Sequence, residues 1–588
     1  MWALVVLILI CITGKVSGQW YDRYWISGYD YWPQTHDSSF GATYFDFLEE
    51  PVRVYYNPEH SMNFKEEIGI VSDSVGNLKF YSNGMQIHNY NYNLMEGGDT
   101  IAYGDFWPNW VVYEDQIMGF PLIQGSLALP WPDRRNHYVL FYTSAEVRVG
   151  FPQVSHVYYA IINMSEGLGA GSVVKKDLVI VQDTLTWGKI SACRHANGRD
   201  WWVLVPERLG NGYYLLFMDS DGVYLDSFQQ VGDVPFTGYG VGQAGFDSDG
   251  TIYYRFEVSS FNEVGGLINV YDFDRCTGLL SNHRWWIAPC YSIAGAAISP
   301  NSRYLYATDV FNLWQYDLYA DDIEASRVTV AEWDGYVEPG WFETYFSLMC
   351  LAPDGRIYII PPTGGSKVMH VIDRPNERGS ACNVLQHHIK LPTWNARTLP
   401  NYPNFRLGPL DGSECDTLGI DNFPVARFRH EPEVSDLATI RFTDLSYFAP
   451  DEWEWDFGDG MTALGADQIR TYVVTGTYNV CLTVSNENGS HTSCQNVYAE
   501  KSSATTHPVI APLSVYPNPF TEYIEINPPG HEVIDITLND LNGHEVLHVD
   551  MTCPCRISLK HLPTGVYFYR LERSGGVESG KVLKIEKD

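Results

Sequence analysis

Asp456 and Asp459 stand three residues apart in Trp455-Asp456-Phe457-Gly458-Asp459-Gly460, where the glycines permit a tight turn. Paired carboxylates at such a turn suit Ca²⁺ when further oxygen ligands converge on them, and they serve equally well as the solvated corner of a hairpin. No other cofactor is expected. Cys481 and Cys494 flank a turn at Asn486 to Gly489, so they can meet on adjacent strands as a disulfide; Cys553 and Cys555 lie too close for an unstrained bridge to each other and are left without a role. His387-His388 in an alternating stretch would point to opposite faces, which argues against a shared metal. Gly169-Ala170-Gly171-Ser172 lacks the lysine of a phosphate loop, and the sequence contains no His-Glu-x-x-His pair and no Gly-x-Ser-x-Gly elbow. A hydrolase or lyase site can instead be gathered from distant segments, and Asp73, Glu207, Glu257 and Asp309, all near strand ends, are its candidates. Trp201-Trp202 and Trp285-Trp286 each divide between the two faces of a strand, with one ring packing between blades and the other either packing likewise, which is the favoured reading, or stacking on a sugar.

The elements that must position these residues are strands. Tyr 40, Trp 18, Gly 51 and Pro 32 in 588 residues make short alternating runs cut by turns, and no apolar stripe holds helical spacing over several turns. Polar turns recur at fixed intervals, each leading into an aromatic strand: His195 to Trp202, Asp247 to Tyr254, Ser299 to Tyr306 and Ala352 to Ile359. Aligned on Asn197, Asp249, Asn301 and Asp354, the steps are 52, 52 and 53 residues. Looser copies lie at Val75 to Phe80 and Arg135 to Leu140. A period near 50 residues with about four strands per unit is the spacing of β-propeller blades. One unit shows its four strands at Gly295 to Ser299, Arg303 to Thr308, Leu313 to Leu318 and Arg327 to Trp333. The expectation is an all-β chain with a six- or seven-bladed propeller over residues 19–412, seven if the segment from Trp20 pairs with a late strand near residue 400, followed by two Ig-like sandwiches.

Residues 423–500 resemble a PKD domain, on Trp455-Asp456-Phe457-Gly458-Asp459-Gly460 and the later Gly476-Thr477-Tyr478-Asn479-Val480-Cys481-Leu482. A Ser/Thr/Pro-rich linker, 501–512, leads to residues 513–588, which resemble the type IX secretion system C-terminal sorting domain. Its motifs are Pro517-Asn518-Pro519, the turn from Asp540 to Gly543, Gly565 to Tyr567, and a closing strand with Lys581 and Lys584 that can be recognised as a sheet edge. Ser72 to Gly84 and Leu399 to Gly408 resemble secreted propeller proteins of Bacteroidetes. Met1 to Ile12 is an apolar run too short to span a bilayer and, with small residues to Gly18, reads as a signal peptide over 1–18, which leaves no transmembrane segment once removed. The resemblance implies the general secretory route, then type IX machinery as partner, with the cell surface or the medium as destination and attachment to lipopolysaccharide. A formal net charge of -33 excludes nucleic acid as a partner. The reading is an exported recognition or adhesion protein whose propeller binds a glycan or protein ligand and whose PKD domain is a spacer. The alternative is a secreted propeller glycoside hydrolase or polysaccharide lyase.

Overall fold

The computed structural model describes residues 19–29, 39–105, 107–112, 116–148, 151–208, 210–232, 240–258, 265–290, 295–339, 341–433, 436–501, 514–527, 532–540, 544–553, 555–573 and 576–585. The expected signal peptide, nearly all of the linker and Gly543 lie outside them. The chain divides into two compact units, of which the first holds the repeats and the sandwich after them, and the second the C-terminal segment.

The repeats form seven antiparallel sheets, each built from consecutive strands. Blade 4, for example, runs Ser191–Arg194, Trp201–Pro206, Gly212–Met218 and Val223–Gln230. Blades 5, 6 and 7 begin at Gly242–Phe246, Ala296–Ile298 and Met349–Leu351 and also have four strands, whereas blade 1 (from Tyr24–Gly28) and blade 2 (from Gly69–Ser72) show three among the described residues. Blade 3, from Ser126–Pro130, has five because the hairpin strand Glu146–Arg148 joins it. The strands expected for the sixth unit appear at Ala296–Ile298, Tyr304–Thr308, Asn312–Asp317 and Val328–Glu332.

Aromatic residues seal blade against blade. Phe80 meets Tyr138 at 5.7 Å between blades 2 and 3, Trp286 meets Tyr316 at 5.2 Å between blades 5 and 6, and Trp25 meets Tyr358 at 5.5 Å between blades 1 and 7. That last contact closes the ring. Burying each such side chain contributes about 1.5–3 kcal/mol. The chain near residue 400 does run beside blade 1, but as irregular backbone rather than as a paired strand. Side chains make the closure: the Thr43 and Thr393 hydroxyls lie 2.7 Å apart, and Tyr402 donates to the Tyr24 carbonyl at 2.8 Å.

The sandwich that follows has one sheet of Phe428–Glu433, Asp436–Asp444 and Gln468–Thr471, and another of Thr462–Leu464, Glu452–Asp456, Gly476–Asn486 and Gly489–Ala499. Trp455 and Phe457 fill its core with Phe442, Val480 and Leu482. Trp453 is only half-buried and donates its indole N–H to Asp444 at 2.8 Å. In the second unit, Ser514–Tyr516, Tyr523–Asn527 and Cys555–Ser558 form one sheet, and Glu545–Cys553, Glu532–Asn539, Gly565–Arg573 and Gly576–Lys584 another, around Ile524, Ile526, Ile534, Ile536 and Leu559.

Candidate functional site

The ring has two unlike faces. One carries the recurrent polar turns, and the other carries the longer loops that lead into the first strand of each blade. The sandwich is bonded to the turn face at blade 7. Arg427 donates to the carbonyl of Pro353 at 2.6 Å, Arg429 donates to that of Asp373 at 2.8 Å, and Arg356 pairs with Asp373 at 2.8 Å and with Glu431 at 3.6 Å. Burial pulls the Arg427 guanidinium down to about 10. These contacts brace the domain, read in the sequence as a spacer, against the propeller. A second brace went unread in the sequence. Cys276, in a turn of blade 5, is disulfide-bonded to Cys415, 139 residues on, in the stretch that leaves the ring.

The channel through the ring is crossed by the chain from Asn401 to Pro409. Asn401 donates to the carbonyls of Ser126 at 3.1 Å and Ile190 at 2.8 Å, Asn404 donates to that of Ser248 at 2.7 Å, and Arg406 makes a bidentate pair with Asp22 at 2.7 Å. Gln124 and Gln243 stitch the walls at the same level, with Gln124 bonded both ways to Ala244 and Gln243 both ways to Met349. The channel is therefore closed by amides and backbone. A cavity of about 810 Å³ remains between this crossing segment, the turn face and the sandwich.

The four candidate carboxylates are not gathered into one site. Asp73 accepts the backbone N–H groups of Val75 and Asn77 in a turn of blade 2 and pairs with Lys79 at 2.7 Å. Asp309, buried, caps its own loop through the N–H groups of Phe311 and Asn312. Glu207 closes a backbone pair with Gly212 at 2.9 Å and offers its carbonyl to Arg255. Glu257 is buried between Arg255 at 2.9 Å and Lys189 at 3.3 Å. Burial alone would raise its carboxyl, but the two cations hold it below the usual range, while burial pulls the Lys189 ammonium down to about 8. Two cations hold this acid in its charged form through ion pairs inside the fold.

Glu67 carries no sequence signal yet is the most perturbed acid near the loop face. It is fully buried, accepts from the Ser126 hydroxyl, and leaves Oε2 without a partner. Burial pushes its carboxyl up to about 8. Gly84 and Gly125 make the space: a Cβ on either would come within 2.6 Å and 2.5 Å of the Glu67 carboxyl group.

Asp456 accepts the N–H of Gly458 at 2.9 Å, and Asp459 pairs with Arg470 at 2.6 Å. Among the described residues no cluster of three or more His, Cys, Asp or Glu could hold a metal ion. Cys481 and Cys494 are bonded to each other and are partners in register. Cys555, left without a role above, is disulfide-bonded. His387 packs on His370 at 5.3 Å and lies 3.2 Å from Asp334. Of the tryptophan pairs, the second divides as anticipated, with Trp286 buried and Trp285 exposed. In the first pair both Trp201 and Trp202 are buried, so neither offers a ring to a ligand.

In the C-terminal sheet, Gly576–Lys584 is an edge strand, but its last residues are covered. Asn518 donates its amide to the Lys581 carbonyl at 3.0 Å and accepts the Leu583 N–H at 2.9 Å, and the Phe520 N–H donates to the Leu583 carbonyl at 2.8 Å. The Pro517-Asn518-Pro519 motif thus places an asparagine against the final strand. Lys584 is buried, with its ammonium donating to the Leu559 and Lys560 carbonyls, which leaves Lys581 as the exposed one of the two lysines. Tyr567 is buried with its hydroxyl on the Pro563 carbonyl at 2.8 Å, Asp540 accepts the His544 N–H at 2.9 Å, and Gly565 stands opposite Lys584 in register.

A seven-bladed ring braced by one sandwich, with a second sandwich at the C-terminal end, defines a multidomain β-propeller protein. Residues 422–500 match the family profile of the PKD domain, and residues 514–585 match that of the secretion system C-terminal sorting domain. This tail marks the chain for type IX secretion and cell-surface attachment in Bacteroidetes, and it implies contact with the type IX machinery. Among the described residues no helix is long and apolar enough to cross a membrane. Solved structures similar to the chain include the periplasmic gluconolactonase PpgL of Pseudomonas aeruginosa, at 11% identity over 68% of this chain and 93% of that one, with a TM-score of 0.29. A quinonprotein alcohol dehydrogenase-like protein of Bacteroides thetaiotaomicron matches at 10% identity over 61% and 76%, with a TM-score of 0.27. A neuraminidase-like protein from A/bat/Guatemala/164/2009 matches at 10% over 62% and 83%, with a TM-score of 0.22. Likenesses at these scores carry no argument about function, and the propeller rests on its own sheet order.

Proposed function

We propose that this is a surface-displayed recognition protein whose propeller binds an extracellular glycan on its loop face. The PKD domain braces the opposite face, and the C-terminal domain is the address for export. One observation carries the reading: the protein's own chain crosses the channel and the sandwich is bonded to the turn face, while the loop face presents exposed aromatic rings and the four candidate carboxylates are not gathered into one site. Stacking on rings needs no acid–base pair, whereas glycoside hydrolysis needs two carboxyl groups about 5–10 Å apart across a substrate. Attachment to surface lipopolysaccharide after export is part of the proposal.

The test is a glycan array probed with the purified full chain, run beside hydrolysis assays on the polysaccharides that score. Saturable binding without product supports the reading, and turnover would replace it with the enzyme alternative. Removal of Ser514 to Asp588 is expected to hold the protein in the periplasm; undiminished delivery to the surface or the medium would refute the address.

A further inference from the structure

We infer that the glycan site lies on the hairpin between blades 6 and 7, with Trp341 as its stacking platform, and that its ligand is a neutral polysaccharide; this rests on the glycan reading above and locates it. The hairpin pairs Val337–Glu338 with Phe342–Glu343. It is pinned from several sides. Trp333 donates its indole N–H to the Thr344 hydroxyl at 3.2 Å, that hydroxyl donates to the Tyr336 carbonyl at 2.8 Å, and Glu338 accepts from the Ser366 hydroxyl at 2.5 Å and the Lys367 N–H at 2.7 Å.

Trp341 sits in this hairpin at φ +71° and is 89% exposed. Left-handed backbone favours glycine, and a ring so exposed adds nothing to a core, so folding explains neither the residue type nor its position. Backbone strain of this kind gathers where a ligand is held. Flanking the hairpin, Phe311, Trp333 and Tyr345 form a cluster with ring centroids 4.6, 5.3 and 6.4 Å apart, Phe311 being 47% exposed. On the other flank Phe342 meets Trp394 at 5.9 Å. Rings of this kind match the apolar faces of pyranoses. The exposed carboxylate of Glu332 beside them can accept hydrogen bonds from hydroxyls, and together with Asp334, which pairs with His387, it disfavours a polyanion, in keeping with the uncharged class inferred.

The experiment is affinity electrophoresis of the full chain in gels holding β-glucan, galactomannan or xylan, with polygalacturonate as the anionic comparison. Trp341→Gly, which also suits the backbone, and Phe311→Ala test the platform. Tyr319→Ala, 65% exposed in a turn of the opposite face, is the control, and circular dichroism checks folding. At least one neutral polysaccharide is expected to retard the protein, with affinity falling tenfold or more in both platform variants and unchanged in Tyr319→Ala. Retardation that survives both platform substitutions, or falls equally in the control, overturns the platform while the glycan reading stands. Retardation by polygalacturonate alone overturns the uncharged ligand class, and no retardation by any polysaccharide overturns both inferences.

Discussion

Glu67 shows how a single side chain sets a pH response. Its folded carboxyl titrates near 8, far above the ordinary range near 4.3 for an unfolded glutamate. Between those values the folded chain binds a proton that the unfolded chain has released, so stability falls as pH rises through this window and levels off above it. Glu67→Gln is expected to flatten that decline and to stabilise the protein at pH 8, read as a higher Tm, with little change at pH 4. A steeper decline in the variant would contradict the burial argument. Glu257→Ala should act in the opposite direction, because it strands Lys189 and Arg255 in the interior; a loss of about 3–5 kcal/mol in a denaturant melt is expected. Neither acid could be ranked from sequence. Glu257 was one of four candidates on the strength of standing near a strand end, and Glu67 gave no signal, because the space around it comes from Gly84 and Gly125 in other segments. By contrast, the aromatic core of the WDFGDG string was legible, since alternation along one strand decides which rings turn inward.

At the scale of the element, the polar turns between the first two strands of blades 4 to 7 were readable because each is a local event, and their near-constant spacing reports the blade. Less visible were the three-stranded blades 1 and 2 and the fate of Trp201. In a ring, a blade is covered by neighbours on both sides, so Trp201–Pro206 is buried at every position and alternation no longer separates inside from outside. The tail offers an element-scale prediction. Asn518 supplies both a donor and an acceptor to the outer side of the last strand. Asn518→Ala should therefore loosen Lys581 to Lys584, raising amide hydrogen exchange there by roughly tenfold while the Glu532–Asn539 core strand keeps its protection. Unchanged exchange at Leu583 would show that the asparagine is not what holds the edge.

The whole molecule depends on contacts between segments far apart in sequence. The bridge from Cys276 to Cys415 ties blade 5 to the chain that carries the PKD domain, and Cys415→Ser is expected to cost about 2–4 kcal/mol and to remove most of the Tm's sensitivity to reductant. That pairing was out of reach of spacing rules, because its partners come from different modules. Seven blades rather than six likewise follow from a distant contact, the packing of Trp25, Phe45 and Phe47 on blade 7. The join itself has a temporal consequence. Thr43 must find Thr393, and Arg406 must find Asp22, 384 residues back, before the circle is complete. A chain made from its N-terminal end therefore presents its first blade with nothing yet to clasp, and the circle stays open until the far end of the ring has been made.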